Sequence, residues 1–247
     1  MAHLLVTGGS RGIGAAVCRR AGAAGWSVTI NYQANATAAA ETAAAVTAAG
    51  GQAVALPGDV TAEAEVVGLF DAAAAALGPV THVVANAGIV APGAMLADMS
   101  VERMRRVIDT NVIGTLLTAR EAARRLARSR GGPGGAIVIV SSMAARLGAP
   151  GEYVDYAASK GALDTLTVGL ARELAAEGIR VNAVRPGLID TDIHASGGAP
   201  DRAARLGATT PLGRPGTATE TAEAIFWLLS EAASYTTGSI LDVSGGR

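Results

Sequence analysis

Short runs of β-branched and aliphatic residues recur along the chain, separated by longer Ala-rich segments of helical composition. The runs predict strands at 3–7, 26–31, 52–57, 80–85, 136–141, 179–185 and 238–243. Several are apolar almost throughout, as in Ile137-Val138-Ile139-Val140, the pattern of strands covered on both faces. The intervening segments predict helices at 12–24, 35–49, 62–77, 100–128, 153–177 and 217–230. Thr61 and Ser100 are placed to cap two of them, with Glu63 and Glu102 in the first turns. Gly25, Gly50, Gly78 and Gly178 close helical segments, where a left-handed residue is often needed. Strand and helix alternate along the whole length, which predicts a parallel sheet with helices on both faces and right-handed crossovers. No break in composition marks a second domain, so one domain over 1–247 is expected. The Gly- and Pro-rich run 130–135 reads as a loop. The segment 188–216, rich in Gly, Pro, Thr and Asp, reads as a lid over a ligand.

Composition narrows this picture. Half the residues are hydrophobic but only 3% are aromatic, so the core is built mainly from Ala, Val, Leu and Ile. The formal net charge of −1 gives no overall pull toward nucleic acid or anionic membranes. Arginines at 103, 105, 106, 120, 124, 125, 128 and 130 make one helix basic, read as a solvated face with some residues at a subunit contact. Cys18 is the single cysteine, which excludes an internal disulfide and suits a small core residue in a reducing, cytoplasmic compartment. No charged leader with an apolar run is apparent, and no run approaches the roughly 20 apolar residues that span a bilayer. His3, His82 and His194 are scattered without metal-ligand spacing, so no metal is expected and all three read as structural or exposed.

The first strand runs into Thr7-Gly8-Gly9-Ser10-Arg11-Gly12-Ile13-Gly14, and a helix follows. Glycines at 8, 12 and 14 let the backbone turn sharply and approach a pyrophosphate, which the free N–H groups and partial positive charge of a helix N-terminus would hold. No Gly-Lys-Ser/Thr follows, so this is not the phosphate loop of nucleoside triphosphatases.

Tyr156 and Lys160 are four apart in a predicted helix and so share a face. A nearby ammonium stabilises a phenolate, and the spacing predicts a Tyr156 pKa drawn down from about 10 toward working pH. Such a phenol can exchange a proton with a carbonyl oxygen. Ser141-Ser142, Asn86-Ala87-Gly88 and Pro186-Gly187 each end a predicted strand, with Thr191 just after the last. In open α/β sheets ligands bind at these carboxyl ends. Asn111 lies inside a predicted helix, where asparagine is a mediocre helix former.

Taken together in this order, Thr-Gly-x-x-x-Gly-x-Gly at 7–14, Asp59-Val60, Asn86-Ala87-Gly88, Asn111, Ser142, Tyr156-x-x-x-Lys160, Pro186-Gly187 with Thr191, and Asp242-Val243-Ser244-Gly245-Gly246 resemble the short-chain dehydrogenase/reductase family over essentially the whole chain. The resemblance implies an α/β, doubly wound Rossmann-type domain with a central seven-stranded parallel sheet. It implies reversible hydride transfer between a nicotinamide cofactor and a carbonyl/alcohol pair. Tyr156 would be the general acid/base, and Lys160 would hold the nicotinamide ribose and lower the Tyr156 pKa. Ser142, with Ser141 as the alternative, would polarise the substrate oxygen. Asn111 would hold a water linking Lys160 to solvent. Asp59 would meet the adenine amino group with Val60 beside the ring. Asn86, Ala87 and Gly88 would line the adenosine ribose. Pro186, Gly187, Ile189 and Thr191 would fix the nicotinamide and its phosphate. Ser10 and Ile13 belong to the glycine loop. The family is commonly tetrameric or dimeric, with the helices at 100–128 and 153–177 meeting across a two-fold.

The second strand ends Asn31-Tyr32-Gln33, without the acid that NAD-specific folds place there for the ribose 2′-hydroxyl. Arg11 could pair with a 2′-phosphate. NADP(H) is therefore the preferred cofactor, with NAD the alternative, and a ketone or 3-oxoacyl-type reductase is the preferred activity. An NAD-dependent sugar or polyol dehydrogenase is the rival enzyme. A dinucleotide sensor without turnover is the rival from another class, opposed by the intact Ser142, Tyr156 and Lys160.

Overall fold

A computed structural model describes residues 2–247, apart from the side chains of His194 and Ser196. The reading of His194 thus lies outside the described residues. The chain runs β1 (His3–Val6), α1 (Gly12–Ala23), β2 (Ser27–Tyr32), α2 (Ala36–Ala48), β3 (Gln52–Pro57), α3 (Glu63–Leu77), β4 (His82–Ala85), α4 (Val101–Ile108), α5 (Gly114–Leu126), β5 (Gly135–Val140), α6 (Ala144–Leu147), α7 (Val154–Leu174) and β6 (Ile179–Pro186). It continues through β7 (Ile189–Asp190), α8 (Ile193–Ser196), α9 (Arg202–Gly207), β8 (Gly216–Thr217), α10 (Ala218–Leu229) and β9 (Ile240–Val243).

Seven strands form one parallel sheet in the order β3-β2-β1-β4-β5-β6-β9. Because successive strand residues point to opposite faces, each strand feeds two cores. Leu5, Val83, Ile137, Ile139 and Val181 pack with Phe70, Leu126, Leu163 and Leu174 of α3, α5 and α7. Leu4, Val6, Ile30, Val138 and Val184 pack with Val17, Val46 and Leu228 of α1, α2 and α10. The strand order reverses beside β1, since chain order runs to β3 on one side and restarts with β4 on the other. That puts a crevice at the carboxyl ends of β1 and β4.

Several local expectations needed correction. Thr61 does not cap α3: Ala62 holds that position without a side-chain cap, and the Thr61 hydroxyl donates to Asp59 Oδ1 at 2.8 Å. Ser100 does cap α4, accepting from Arg103 N. The expected single helix over 100–128 is broken by a π-turn at Asp109–Ile113. The segment 188–216 is less irregular than its composition suggests. It holds α8, α9 and β7, and β7 pairs with β8 through Ile189↔Gly216 and Asp190↔Thr217. The basic helix face is met by acids: Arg120 by Glu63, Arg125 by Asp71 and Glu121, and Arg103 by Asp155. Cys18 is fully buried in the second core. Among the described residues no helix is long and apolar enough to cross a membrane, and no cluster of His, Cys, Asp or Glu is placed to hold a metal ion.

Candidate active site

A cleft of about 1230 Å³ opens at the carboxyl ends of the strands. Gly8, Ser10, Arg11, Gly12, Ile13, Asn31, Tyr32 and Gln33 line one end, with Asp59 and Val60. Asn86, Ala87 and Gly88 lie at its middle. Ser142, Tyr156, Lys160, Pro186, Gly187, Ile189 and Thr191 line the other end. Of the predicted cofactor and catalytic residues, Gly14 and Asn111 are set behind this lining.

The glycine loop is braced from behind. Gly8 and Gly12 have φ of +62° and +56°, a left-handed conformation that favours glycine. A Cβ on Gly14 would collide with the Gly8 carbonyl and stand 2.7 Å from Asn86 Nδ2. Gly14 is therefore a packing glycine that seats α1 against the loop. Two cleft-lining amides also brace the loop. Asn86 Nδ2 donates to the Thr7 and Gly8 carbonyls at 3.0 and 2.9 Å. Asn31 is buried, its Oδ1 accepting from Gly8 N at 3.3 Å and its Nδ2 donating to the Gly58 carbonyl at 3.0 Å. Asn31 spends both side-chain polar atoms, and Asn86 its Nδ2, holding the loop in shape. Across the cleft, a Cβ on Gly12 would stand 3.5 Å from Thr191 Cγ2, so the loop and the segment after β6 approach closely. Arg11 is exposed at the N-cap of α1 and, among the described residues, has no carboxylate partner. The Asp59 carboxylate accepts from Thr61 N, the Thr61 hydroxyl and Gln33 Nε2, and these bonds, led by the Thr61 amide, hold it below the usual range.

The catalytic end is assembled by β5 and α7. Ser142 is hydrogen-bonded to Tyr156, and its Oγ also accepts from Ala144 N at 3.1 Å. Ser141 instead turns inward, its hydroxyl 2.7 Å from Asp164 Oδ1 and 3.1 Å from the Lys160 carbonyl. The geometry thus separates the two serines and leaves Ser142 beside Tyr156. Lys160 is 3% exposed and donates to the Val140 carbonyl at 2.8 Å, with Nζ 5.6 Å from the Tyr156 ring centroid.

Burial, not the ammonium, governs the phenol in the protein alone. It pushes Tyr156 up to about 12, opposed by the Ser142 hydrogen bond, and pulls Lys160 down to about 8. In the protein alone burial outweighs whatever lowering Lys160 provides, while Lys160 Nζ donates to the Val140 carbonyl.

Asn111 sits in the π-turn, whose extra residue turns its side chain into the fold. Oδ1 accepts from Ile89 N at 2.8 Å, and Nδ2 donates to the Ile89 carbonyl and Ser159 Oγ, each at 3.0 Å. A Cβ on Gly88 would lie 3.3 Å from Asn111 Oδ1 and 3.4 Å from Lys160 Nζ, so glycine here keeps that junction open.

One group at the substrate end was not assigned a role from sequence. Glu152 pairs bidentately with Arg202 of α9 at 2.5 and 2.8 Å, beside Tyr153, which stacks edge-on against Tyr156. The residues are far apart in the chain, and nothing local signals their pairing.

The fold, the glycine loop and the Ser–Tyr–Lys end together define a dinucleotide-binding oxidoreductase. Residues 8–247 match the family described as Enoyl-(Acyl carrier protein) reductase. The chain is 53% identical over all 247 residues, and all of its relative's length, to "Uncharacterized oxidoreductase YgfF" of Escherichia coli. It is 42% identical to "3beta-hydroxysteroid dehydrogenase 1" of Eggerthella lenta, covering 98% of this chain and 92% of that one. A solved short-chain type dehydrogenase/reductase from Mycobacterium marinum superimposes with a TM-score of 0.89 at 35% identity, covering 99% and 94% of the two chains. The chain belongs to the short-chain dehydrogenase/reductase family, an NAD(P)-dependent oxidoreductase acting on alcohol and carbonyl groups of small molecules.

Proposed function

We propose that the protein is an NADPH-dependent reductase of a ketone or 3-oxoacyl-type carbonyl. The observation that carries the cofactor choice is Arg11, a guanidinium at the cleft without a carboxylate partner among the described residues, beside a β2 end that bears no acid. A guanidinium fits a phosphate, whereas an acid there would repel one. The glycine cradle and the free N–H groups of α1 fit a pyrophosphate. NADPH, when bound, supplies the hydride from its nicotinamide ring.

The chain's own residues supply the proton and the orientation. A Tyr156 phenol held near 12 keeps its proton at neutral pH, the form needed to donate to a carbonyl oxygen. Ser142 orients the same oxygen through its hydroxyl. Lys160 offers an ammonium to a ribose hydroxyl, and from there stabilises phenolate as the proton leaves. Asn111 anchors the segment at Ile89 and is assigned the water that refills the proton from solvent. The 188–216 segment is assigned the lid, with Arg202 and Glu152 tying it to the loop before α7. Exposed Ile108, Ile113 and Leu116 on α4, the π-turn and α5 support the expected two-fold pairing of subunits.

The test is a panel of ketones, 3-oxoacyl thioesters, quinones and sugars with NADPH and NADH, followed at the nicotinamide absorbance. Arg11→Ala is expected to weaken NADPH roughly ten- to hundredfold while NADH changes little. Equal losses for both cofactors would overturn the 2′-phosphate assignment. Tyr156→Phe is expected to cut turnover by about 10²–10⁴ with cofactor binding intact. Turnover confined to sugars with NAD would favour the polyol dehydrogenase, and cofactor binding without turnover on any substrate would favour a sensor.

A further inference from the structure

Three consecutive residues at the end of β5 each grip a different turn of α7. Ser142 bonds to Tyr156, the Val140 carbonyl accepts from Lys160 Nζ, and Ser141 bonds to Asp164. Tyr156, Lys160 and Asp164 are spaced by four and so line one helix face. The first two contacts belong to the reaction. The third does not, and it opens onto a chain of alternating charge.

Asp164 Oδ2 accepts from Arg185 Nε at 2.9 Å and from Nη2 at 2.8 Å. Arg185 Nη1 reaches Asp242 Oδ1 at 3.2 Å, its register partner across β6 and β9. Asp242 Oδ2 then accepts from Arg146 of α6 at 2.6 Å. The side chains of Asp164 and Arg185 are only 14% and 17% exposed, so their charges are weakly screened.

We propose that Asp164 is a positioning residue that keeps Lys160 in its ammonium form and holds Ser141 in place just past the end of β5, with Arg185 setting how much of that negative charge Lys160 feels. The proposal rests on the roles given above to Tyr156 and Lys160. The groups facing Lys160 are few. Tyr156 comes from α7, the Val140 carbonyl from β5, and the Asn111 amide from the π-turn, next to Gly88; Asp164, one turn further along α7, shares the Ser141 hydroxyl with the Lys160 carbonyl and acts on the amine through space. Arg185 of β6 stands behind Asp164, and Asp242 of β9 behind that, already shared between two guanidinium groups. Burial disfavours the Lys160 ammonium, and the Asp164 charge is what opposes it.

The chain offers a direct readout, because Lys160 is its only lysine; the other 19 of its 20 basic residues are arginine. Protein grown with ¹³C,¹⁵N-lysine therefore shows one labelled side chain, whose Cε shift reports the ammonium fraction against pH without cofactor, substrate or turnover. Asp164→Asn is expected to lower the Lys160 midpoint by about one pH unit. Arg185→Met is expected to raise it, since it unmasks the Asp164 carboxylate. Asp164→Glu is expected to keep it within about half a unit of the parent. A brace without electrostatic action would move neither midpoint. Midpoints that stay put, or that shift in the same direction in Asp164→Asn and Arg185→Met, overturn the proposal. If Asp164→Asn does not fold, the sign of the Arg185→Met shift decides alone. Absence of turnover on every substrate would sink the reductase assignment and leave this titration readable.

Discussion

Gly14 shows how little room the cofactor end allows. Its Cβ would enter the space of the Gly8 carbonyl and the Asn86 amide, both backed by hydrogen bonds that resist displacement. Gly14→Ala is expected to push α1 off the loop, costing about 1–3 kcal/mol of stability and roughly tenfold in dinucleotide affinity. Denaturant unfolding and titration calorimetry measure the two. The glycine spacing was readable in the chain, since only glycine suits such a turn. The division of labour was not. Whether an amide such as Asn31 or Asn86 faces a ligand or the backbone behind it depends on carbonyls contributed by distant strands. The Tyr156 phenol carries the same lesson with opposite sign. Its neighbour Lys160 was visible at four-residue spacing, but the burial that outweighs the ammonium comes from packing among α4, the β4 loop and α6.

At the level of elements, the helix and strand positions were legible because strands buried on both faces leave long apolar runs and helix ends leave Ser or Gly. Ser100 at the start of α4 is one such mark, and Ser100→Ala is expected to cost about 1 kcal/mol in denaturant unfolding. What the pattern could not show is an extra residue inside a helix. The π-turn changes no composition, and its one trace was an asparagine where a helix gains nothing from it. The short helices of 188–216 were hidden for a related reason. They are too short to show periodicity and depend on tertiary contacts such as Arg202 with Glu152. Arg202 Nε is buried without a partner, so the contact is held at some cost. Arg202→Met is expected to speed amide exchange over 193–207 by about tenfold or more while the sheet stays protected; unchanged exchange there would remove the pair as the tether.

Across the whole molecule, acid sensitivity is built in at the end of the sheet opposite the cleft. His82 packs against Trp26 with ring centroids 4.6 Å apart, and burial, helped by the Arg180 charge, lowers it to about 4. His3 is lowered as well, chiefly by burial. An unfolded histidine titrates near 6.5. Between that value and about 4 the unfolded chain takes up a proton that folded His82 refuses, so stability falls as pH drops through this window. Below about 4 His82 contributes no further loss. The full effect is at most about 3 kcal/mol for His82. Melting midpoints measured from pH 7 to 4 are expected to fall, and less steeply in His82→Phe, which keeps a ring against Trp26. The β7–β8 ladder has a different consequence. By fastening residue 189 to 216 and 190 to 217, it gives the stretch between them a closed neck, so changes in its length are felt little by the sheet below. Beyond Thr191, which lines the cleft beside Gly12, that stretch is suited to exchange: a loop of another size grafted there is expected to alter which molecules are admitted while the sheet keeps its stability.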